Sequence, residues 1–204
     1  MELFKGILYR KNYIYIFFNI LKNNIKKNLR FKIVNNLIEK NSTLIDVCGG
    51  SGWLKKYIDK KVEYTVSDAS VEFGQICKKN KINFIKLNCK NLDNIKNKFD
   101  YSVMIISLYQ FRDNIKKILK ALKKISKKKI IIIEEVSPDN ETYTFTHFKK
   151  KIRDYLSYTN YCNKNNHLFT SYEFKVLMKK NNFKLINKFA TDNLLVAIFD
   201  VRSK

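Results

Sequence analysis

The richest chemistry in the chain lies in Leu44-Ile45-Asp46-Val47-Cys48-Gly49-Gly50-Ser51-Gly52. An apolar run of strand character, Thr43 to Val47, passes directly into glycines and then into a helical pattern from Trp53 to Ile58. Glycines at such a turn let the backbone approach a ligand closely. The carboxyl end of a strand in an α/β sheet is also where ligands bind. Two phosphate-binding versions of the turn fail on spacing. A GxxxxGK[ST] loop needs a lysine that does not follow Gly52. A GxGxxG turn is met at Gly50 and Gly52, but Lys55 stands where the third glycine belongs, and nothing suits a pyrophosphate. Metal chemistry is not expected. Cys48, Cys77, Cys89 and Cys162 form no CxxC pair, and His147 and His167 are the only histidines.

The elements that must position this turn follow from periodicity. In the first forty residues Ile14, Phe17, Phe18, Leu21, Ile25 and Leu29 recur at helical steps, and Phe31 to Ile38 continues the theme. From residue 43 short strands alternate with helices. Val62 to Val66 is a second strand, stopped by Ser67-Asp68; Ser70 to Lys79 is a helix, and Asn83 to Leu87 a third strand. Phe99 to Leu108 is a buried strand, rich in β-branched residues. Asp113 offers an N-cap for a helix carrying Ile115, Ile118, Leu119 and Leu122. Ile130 to Ile133 is a central strand. Thr170-Ser171-Tyr172-Glu173 is a capping box opening a helix through Met178, and Phe183–Phe189 and Leu194–Val201 pair as closing antiparallel strands. Strands separated by helices imply right-handed crossovers and a parallel sheet covered on both faces.

With these elements in place, the chain resembles the class I S-adenosylmethionine-dependent methyltransferase family. The family's first motif, roughly D-V-G-C-G-T-G, stands here as Asp46 to Gly52. Its acid at the end of the second strand is matched by Asp68, and its g-D-a-x-x-L pattern by Leu87-Asn88-Cys89-Lys90-Asn91-Leu92. Its F-D opening of the fourth strand is matched by Phe99-Asp100. The matches cover residues 41–136 and 170–201. The resemblance implies a three-layer α/β sandwich with a mostly parallel seven-stranded sheet, the last strand antiparallel. Residues 1–40 are expected as a helical arm, 41–204 as the core, and 137–169 as a lid over the acceptor site.

The resemblance also implies S-adenosyl-L-methionine as cofactor and gives each matched residue a role. The turn of Cys48, Gly49, Gly50 and Gly52 would lie under the methionine and ribose. Asp46 would help hold the cofactor's amino group, and Asp68 would accept both ribose hydroxyls. Asn88 and the backbone N–H of Cys89 would address the adenine, and Ser107 would line the methyl side. Tyr109, Glu134 and His147 are candidates for a general base, with one of Glu134 and Glu135 pointing toward the cleft. Three places depart from the pattern. Cys48 replaces a glycine and is accommodated if its φ is negative; Asn88 replaces an aspartate; Lys127-Lys128-Lys129 replaces the P-G-G turn.

The acceptor is expected to be a small molecule. The segment from Ser137 to Phe169 carries Tyr143, Phe145, Phe148, Tyr155, Tyr158 and Tyr161, which either line the acceptor pocket or pack on one another. An RNA acceptor or RNA-binding role is the alternative raised by a net charge of +23, with 41 basic against 18 acidic residues. Only five of the basic residues are arginines, the type suited to bidentate phosphate and base contacts, and the lysines are spread along the chain. A non-catalytic protein keeping the fold is a third reading, motivated by Cys48 and Asn88. The apolar run Tyr13–Leu21 is too short to span a bilayer, and Lys22-Asn23-Asn24 stands where a signal peptide would be cleaved. A cytoplasmic protein is expected.

Overall fold

The computed structural model describes residues 25–137, 168–186 and 193–201. Helix α1 (Ile25–Leu37) leads into β1 (Thr43–Val47), β2 (Glu63–Asp68), α2 (Val71–Lys79), β3 (Asn83–Lys86) and β4 (Phe99–Ile105). Then come α3 (Ile115–Ile125), β5 (Ser126–Glu135), α4 (Ser171–Lys180), β6 (Lys184–Leu185) and β7 (Leu194–Asp200). Short 3-10 turns occupy Trp53–Lys56, Cys89–Asn94 and Leu108–Asn114. One sheet runs in the order β3-β2-β1-β4-β5-β7-β6. Pairing is parallel from β3 through β5, while β7 runs antiparallel to both β5 and β6. The expected seven-stranded architecture is therefore present.

Alternation along β5 shows how the sequence makes a sheet with two cores. Ile130 and Ile132 enter one cluster with Ile118, Leu119 and Leu122 of α3 and Phe174 and Met178 of α4. Ile131 and Ile133 enter the other, with Phe31, Ile33 and Val34 of α1. Successive strand side chains point to opposite faces, so four consecutive isoleucines serve both layers. In α3 the apolar residues Ile115, Ile118, Leu119, Leu122 and Ile125 form one buried stripe, leaving Lys116, Lys117, Lys120 and Lys124 exposed.

Several boundaries differ from the sequence reading. Trp53–Ile58 forms only a short 3-10 turn, Trp53–Lys56. Asp113 is not the cap of α3. It lies inside the 3-10 segment, and Asn114 holds the cap position without a side-chain cap bond. β4 ends at Ile105 because Ile106 swings to φ +49. β5 begins at Ser126, so Lys127 to Lys129 belong to the strand; Lys129 faces Asp200 in register and Lys128 pairs with Glu39. The capping box is present in full: Glu173 N–H donates to Thr170 Oγ1 at 3.0 Å, and Thr170 N–H donates to Glu173 Oε2 at 2.9 Å. Residues 1–24, 138–167 and 187–192, which hold most of the arm and lid segments, His147, Cys162 and the end of the expected Phe183–Phe189 strand, lie outside the described residues.

The F-D pair opening β4 fastens the far end of the sheet. Asp100 Oδ2 accepts the Thr43 N–H at 2.9 Å and the Thr43 hydroxyl at 3.0 Å, while Asp100 N–H donates back to Thr43 Oγ1 at 2.8 Å. Thr43→Val removes the hydroxyl but keeps the β-branched shape. It is expected to cost about 1 kcal/mol, read as a lowered urea midpoint with an unchanged slope.

Candidate functional site

The chain runs from β1 outward to β2 and β3 on one side, then returns to β4 and β5 on the other. The order therefore reverses between the carboxyl ends of β1 and β4, where a crevice forms in such sheets. The described residues singled out by the sequence gather at this end in two groups.

The first group joins β1 to β2. Asp46 is buried, and its Oδ2 accepts the hydroxyl of Tyr64, two residues before its register partner Val66, at 2.6 Å. The turn that follows lies against this carboxyl: a Cβ added to Gly49 would stand 2.6 Å from Asp46 Cγ. Only glycine permits that approach. Gly50, at φ +56, donates its N–H to Asp68 Oδ2 at 3.1 Å. Asp68 Oδ1 accepts the Ser70 N–H at 2.9 Å. The glycine turn and the acid closing β2 are thus in direct contact. Gly52 N–H closes the turn on the Gly49 carbonyl at 3.0 Å, and the buried Cys77 thiol of α2 reaches the Gly50 carbonyl at 3.6 Å. Ser51 is buried within the turn, and its Oγ has no hydrogen-bond partner.

Cys48 does not meet the condition set by the sequence. Its φ is +59, in the left-handed region, because its N–H continues the β1–β2 ladder to the Ser67 carbonyl at 2.7 Å before the backbone turns. Such a conformation costs a non-glycine residue roughly 1 kcal/mol. Asn88 caps the 3-10 turn at the end of β3, its Oδ1 accepting the Lys90 N–H at 3.0 Å. Cys89 beside it is buried. The Leu87 N–H bonds the Asp68 carbonyl at 2.9 Å, which keeps the β3 exit next to the β2 exit.

The second group joins β4 to β5. Glu134 is fully buried, and its Oε1 accepts the backbone N–H of Ser107 at 3.0 Å and of Leu108 at 2.6 Å. Its Oε2 has no hydrogen-bond partner. These bonds hold the turn in which Ile106, a β-branched residue, sits at φ +49 with its N–H on the Ile133 carbonyl at 2.7 Å. The Ser107 hydroxyl is turned back to the Ile105 carbonyl at 2.8 Å, and Tyr109 is buried with its hydroxyl 3.5 Å from Gln110 Nε2. Glu135, its neighbour on the strand, is half-buried.

Burial dominates the electrostatics. It pushes Asp46 up to about 7; the Tyr64 hydroxyl and Arg30 of α1 pull it down, and Asp68 pushes it up. Burial also raises Asp68, against the backbone N–H groups of Ser70, Gly50 and Ala69. Glu134 is driven up to about 8 by burial, opposed by the N–H groups of Leu108, Ser107 and Tyr109. Carboxyls gathered at strand ends with raised affinity for protons are candidates for a functional site.

The residues that sequence reasoning missed are Tyr64 and Ser51. For Tyr64 a signal existed: alternation along β2 puts its bulky polar side chain on the buried face beside Asp46, where a hydroxyl needs a partner. Near the same end, the Ser137 N–H is bonded to the Phe169 carbonyl at 2.9 Å. Arg112 reinforces this contact through the Leu168 carbonyl at 3.2 Å, Glu173 at 3.1 Å and the face of Phe169.

A sheet of this strand order, with β7 alone reversed and its crevice lined by a glycine turn and the β2 acid, is the class I S-adenosylmethionine-dependent methyltransferase fold. Solved structures of that fold superpose on it at low identity. The mitomycin 7-O-methyltransferase MmcR aligns with TM-score 0.64 and 14% identity over 95% of this chain and 59% of that one. An O-methyltransferase family protein from Burkholderia thailandensis gives 0.62 and 11% over 84% and 55%. The methyltransferase domain of bacterial CtHen1 gives 0.60 and 15% over 85% and 98%. The chain thus spans little more than half of the first two structures. By sequence it belongs to the family described as methionine biosynthesis protein MetW, whose model matches residues 28–203. No curated protein matches it in sequence. Among the described residues no helix is long and apolar enough to cross a membrane, and no cluster of His, Cys, Asp and Glu is placed to hold a metal.

Proposed function

We propose that the chain is an S-adenosylmethionine-dependent methyltransferase of the cytoplasm, acting on a small molecule. The observation that carries this reading is the hydrogen bond from Gly50 to Asp68, which joins the glycine turn to a carboxylate with oxygens to spare. The local chemistry fits the cofactor. Gly49 leaves bare backbone over Asp46, the Ser51 hydroxyl is buried without a partner, and three raised carboxyls converge on the strand ends. Asp68 would hold the ribose hydroxyls, Asp46 the amino group, the turn from Cys48 to Gly52 the methionine and ribose, and Cys89 with Asn88 the adenine. When bound, the cofactor supplies an activated methyl group on a sulfonium.

The protein's own residues then orient the acceptor and exclude water, a contribution reaching ~7 to 11 kcal/mol in favourable systems. Ser107 and Tyr109 lie on the turn that faces this space from β4, and Glu134 holds that turn rather than serving as a base. The small-molecule reading draws support from the aromatic-rich sequence between Ser137 and Phe169, two residues bonded to each other close to these strand ends. Calorimetric titration with S-adenosylmethionine and S-adenosylhomocysteine tests the assignment. Dissociation constants below about 100 μM are expected, and millimolar or absent binding would overturn it.

A further inference from the structure

Resting on the cofactor reading above, we infer that Tyr64 is a positioning residue that keeps the Asp46 carboxylate oriented and charged for the amino end of the ligand. The geometry is specific. The Tyr64 hydroxyl donates to Asp46 Oδ2 at 2.6 Å from the adjacent strand, with both side chains buried. On its other side the carboxyl lies against Gly49, so close that a Cβ there would stand 2.6 Å from its Cγ. Tyr64 is itself fixed: its phenol proton is hard to remove, because burial and the neighbouring Asp46 both raise its pKa, so it remains a donor. The charged and titratable groups acting on Asp46 from the packed elements are Tyr64 and Asp68 of β2, Arg30 of α1 and Cys77 of α2. Of these, Tyr64 makes the hydrogen bond to its carboxyl at 2.6 Å.

The consequence is a proton-linked ligand affinity. Burial brings Asp46 to about 7, so its charge is gained as pH rises through neutrality. A cationic amino group is gripped above that point and released below it. Deleting the Tyr64 hydroxyl removes the strongest influence favouring the charged form, and the rise in affinity moves to higher pH.

The experiment is a calorimetric titration of wild type and Tyr64→Phe with S-adenosylhomocysteine from about pH 5.5 to 8.5, with 5′-methylthioadenosine, which lacks the amino-acid end, as the second probe. Tyr64→Phe should bind S-adenosylhomocysteine about tenfold more weakly near pH 6.5, and recover to within about threefold near pH 8.5. Its affinity for 5′-methylthioadenosine should follow that of wild type at every pH. Equal weakening at all pH values, or weakening of both probes alike, would overturn the role of Tyr64 while leaving the cofactor reading intact. Failure of wild type to bind either probe would overturn the cofactor reading itself.

Discussion

Asp68→Ala is expected to bind S-adenosylhomocysteine at least tenfold more weakly than wild type. The carboxylate ends β2 with Oδ1 on the Ser70 N–H and Oδ2 on the Gly50 N–H, leaving lone pairs on both oxygens for a vicinal diol. A hydrogen bond to a charged acceptor contributes roughly 1.5 to 3 kcal/mol, so losing two exceeds one decade in affinity even if the second is poorly made. The substitution also leaves the Gly50 N–H without its acceptor, which loosens the turn. That effect and the loss of the diol contact can be separated with two ligands. Asp68 would grip the ribose, which S-adenosylhomocysteine and 5′-methylthioadenosine share, so both should weaken together and at every pH. Tyr64→Phe should weaken only the first, and chiefly on the acidic side. A loss of less than threefold for Asp68→Ala would remove the ribose from this carboxylate. The two variants together partition the crevice into an adenosyl end and an amino-acid end.

Much of this arrangement was legible in the sequence because it rests on local rules. The four isoleucines of β5 could only be a central strand, and strand–helix alternation fixed the parallel order as far as β5. The Thr170 capping box named both the start of α4 and the two bonds that make it. Gly49 and Gly50 were visible because a turn at a strand end restricts residue type, and Asp46 and Asp68 through the match to the family's motifs. Several of the failures have a different cause: they depend on contacts across the sheet. Lysines 127 to 129 look like a loop in isolation, yet they extend β5 because β4 and β7 offer ladder partners, Asp200 lies opposite Lys129, and Glu39 reaches Lys128. The positive φ values of Cys48 and Ile106 were invisible because neither residue type prefers that region; tertiary bonds to Ser67 and Ile133 impose it. Tyr64 escaped notice because its meaning lies in a partner 18 residues earlier on the next strand.

Glu134 should prove the most consequential single side chain for stability. Its carboxyl replaces solvent for two backbone N–H groups in a turn that already carries a strained isoleucine, and it does so with no exposure to water. Glu134→Ala leaves both donors buried and opens a cavity. A loss of roughly 3 to 5 kcal/mol is expected, measured by urea denaturation at fixed pH. Glu134→Gln separates the hydrogen bonds from the charge, since its carbonyl oxygen accepts the same two donors and its amide resembles the protonated acid. Folding raises the Glu134 pKa from 4.5 to about 8. Between those values the unfolded chain has released a proton that the folded chain still holds, so stability is fully present below 4.5 and declines as pH rises toward 8. Gln has no such proton. The stability of Glu134→Gln relative to wild type should therefore climb with pH across this window, by up to about 1.4 kcal/mol per unit, and level off above it. Asp46, whose affinity for protons is raised in the same direction, adds its own slope to both proteins and cancels in the difference. Parallel stability curves for the two proteins would mean that Glu134 is ionised in the folded state, with Oε2 reached by a partner that offsets its burial. Curves that run together at acid pH and separate as pH rises would mean that the β4 turn is held by a neutral acid, stable at acid pH and weakest in alkali.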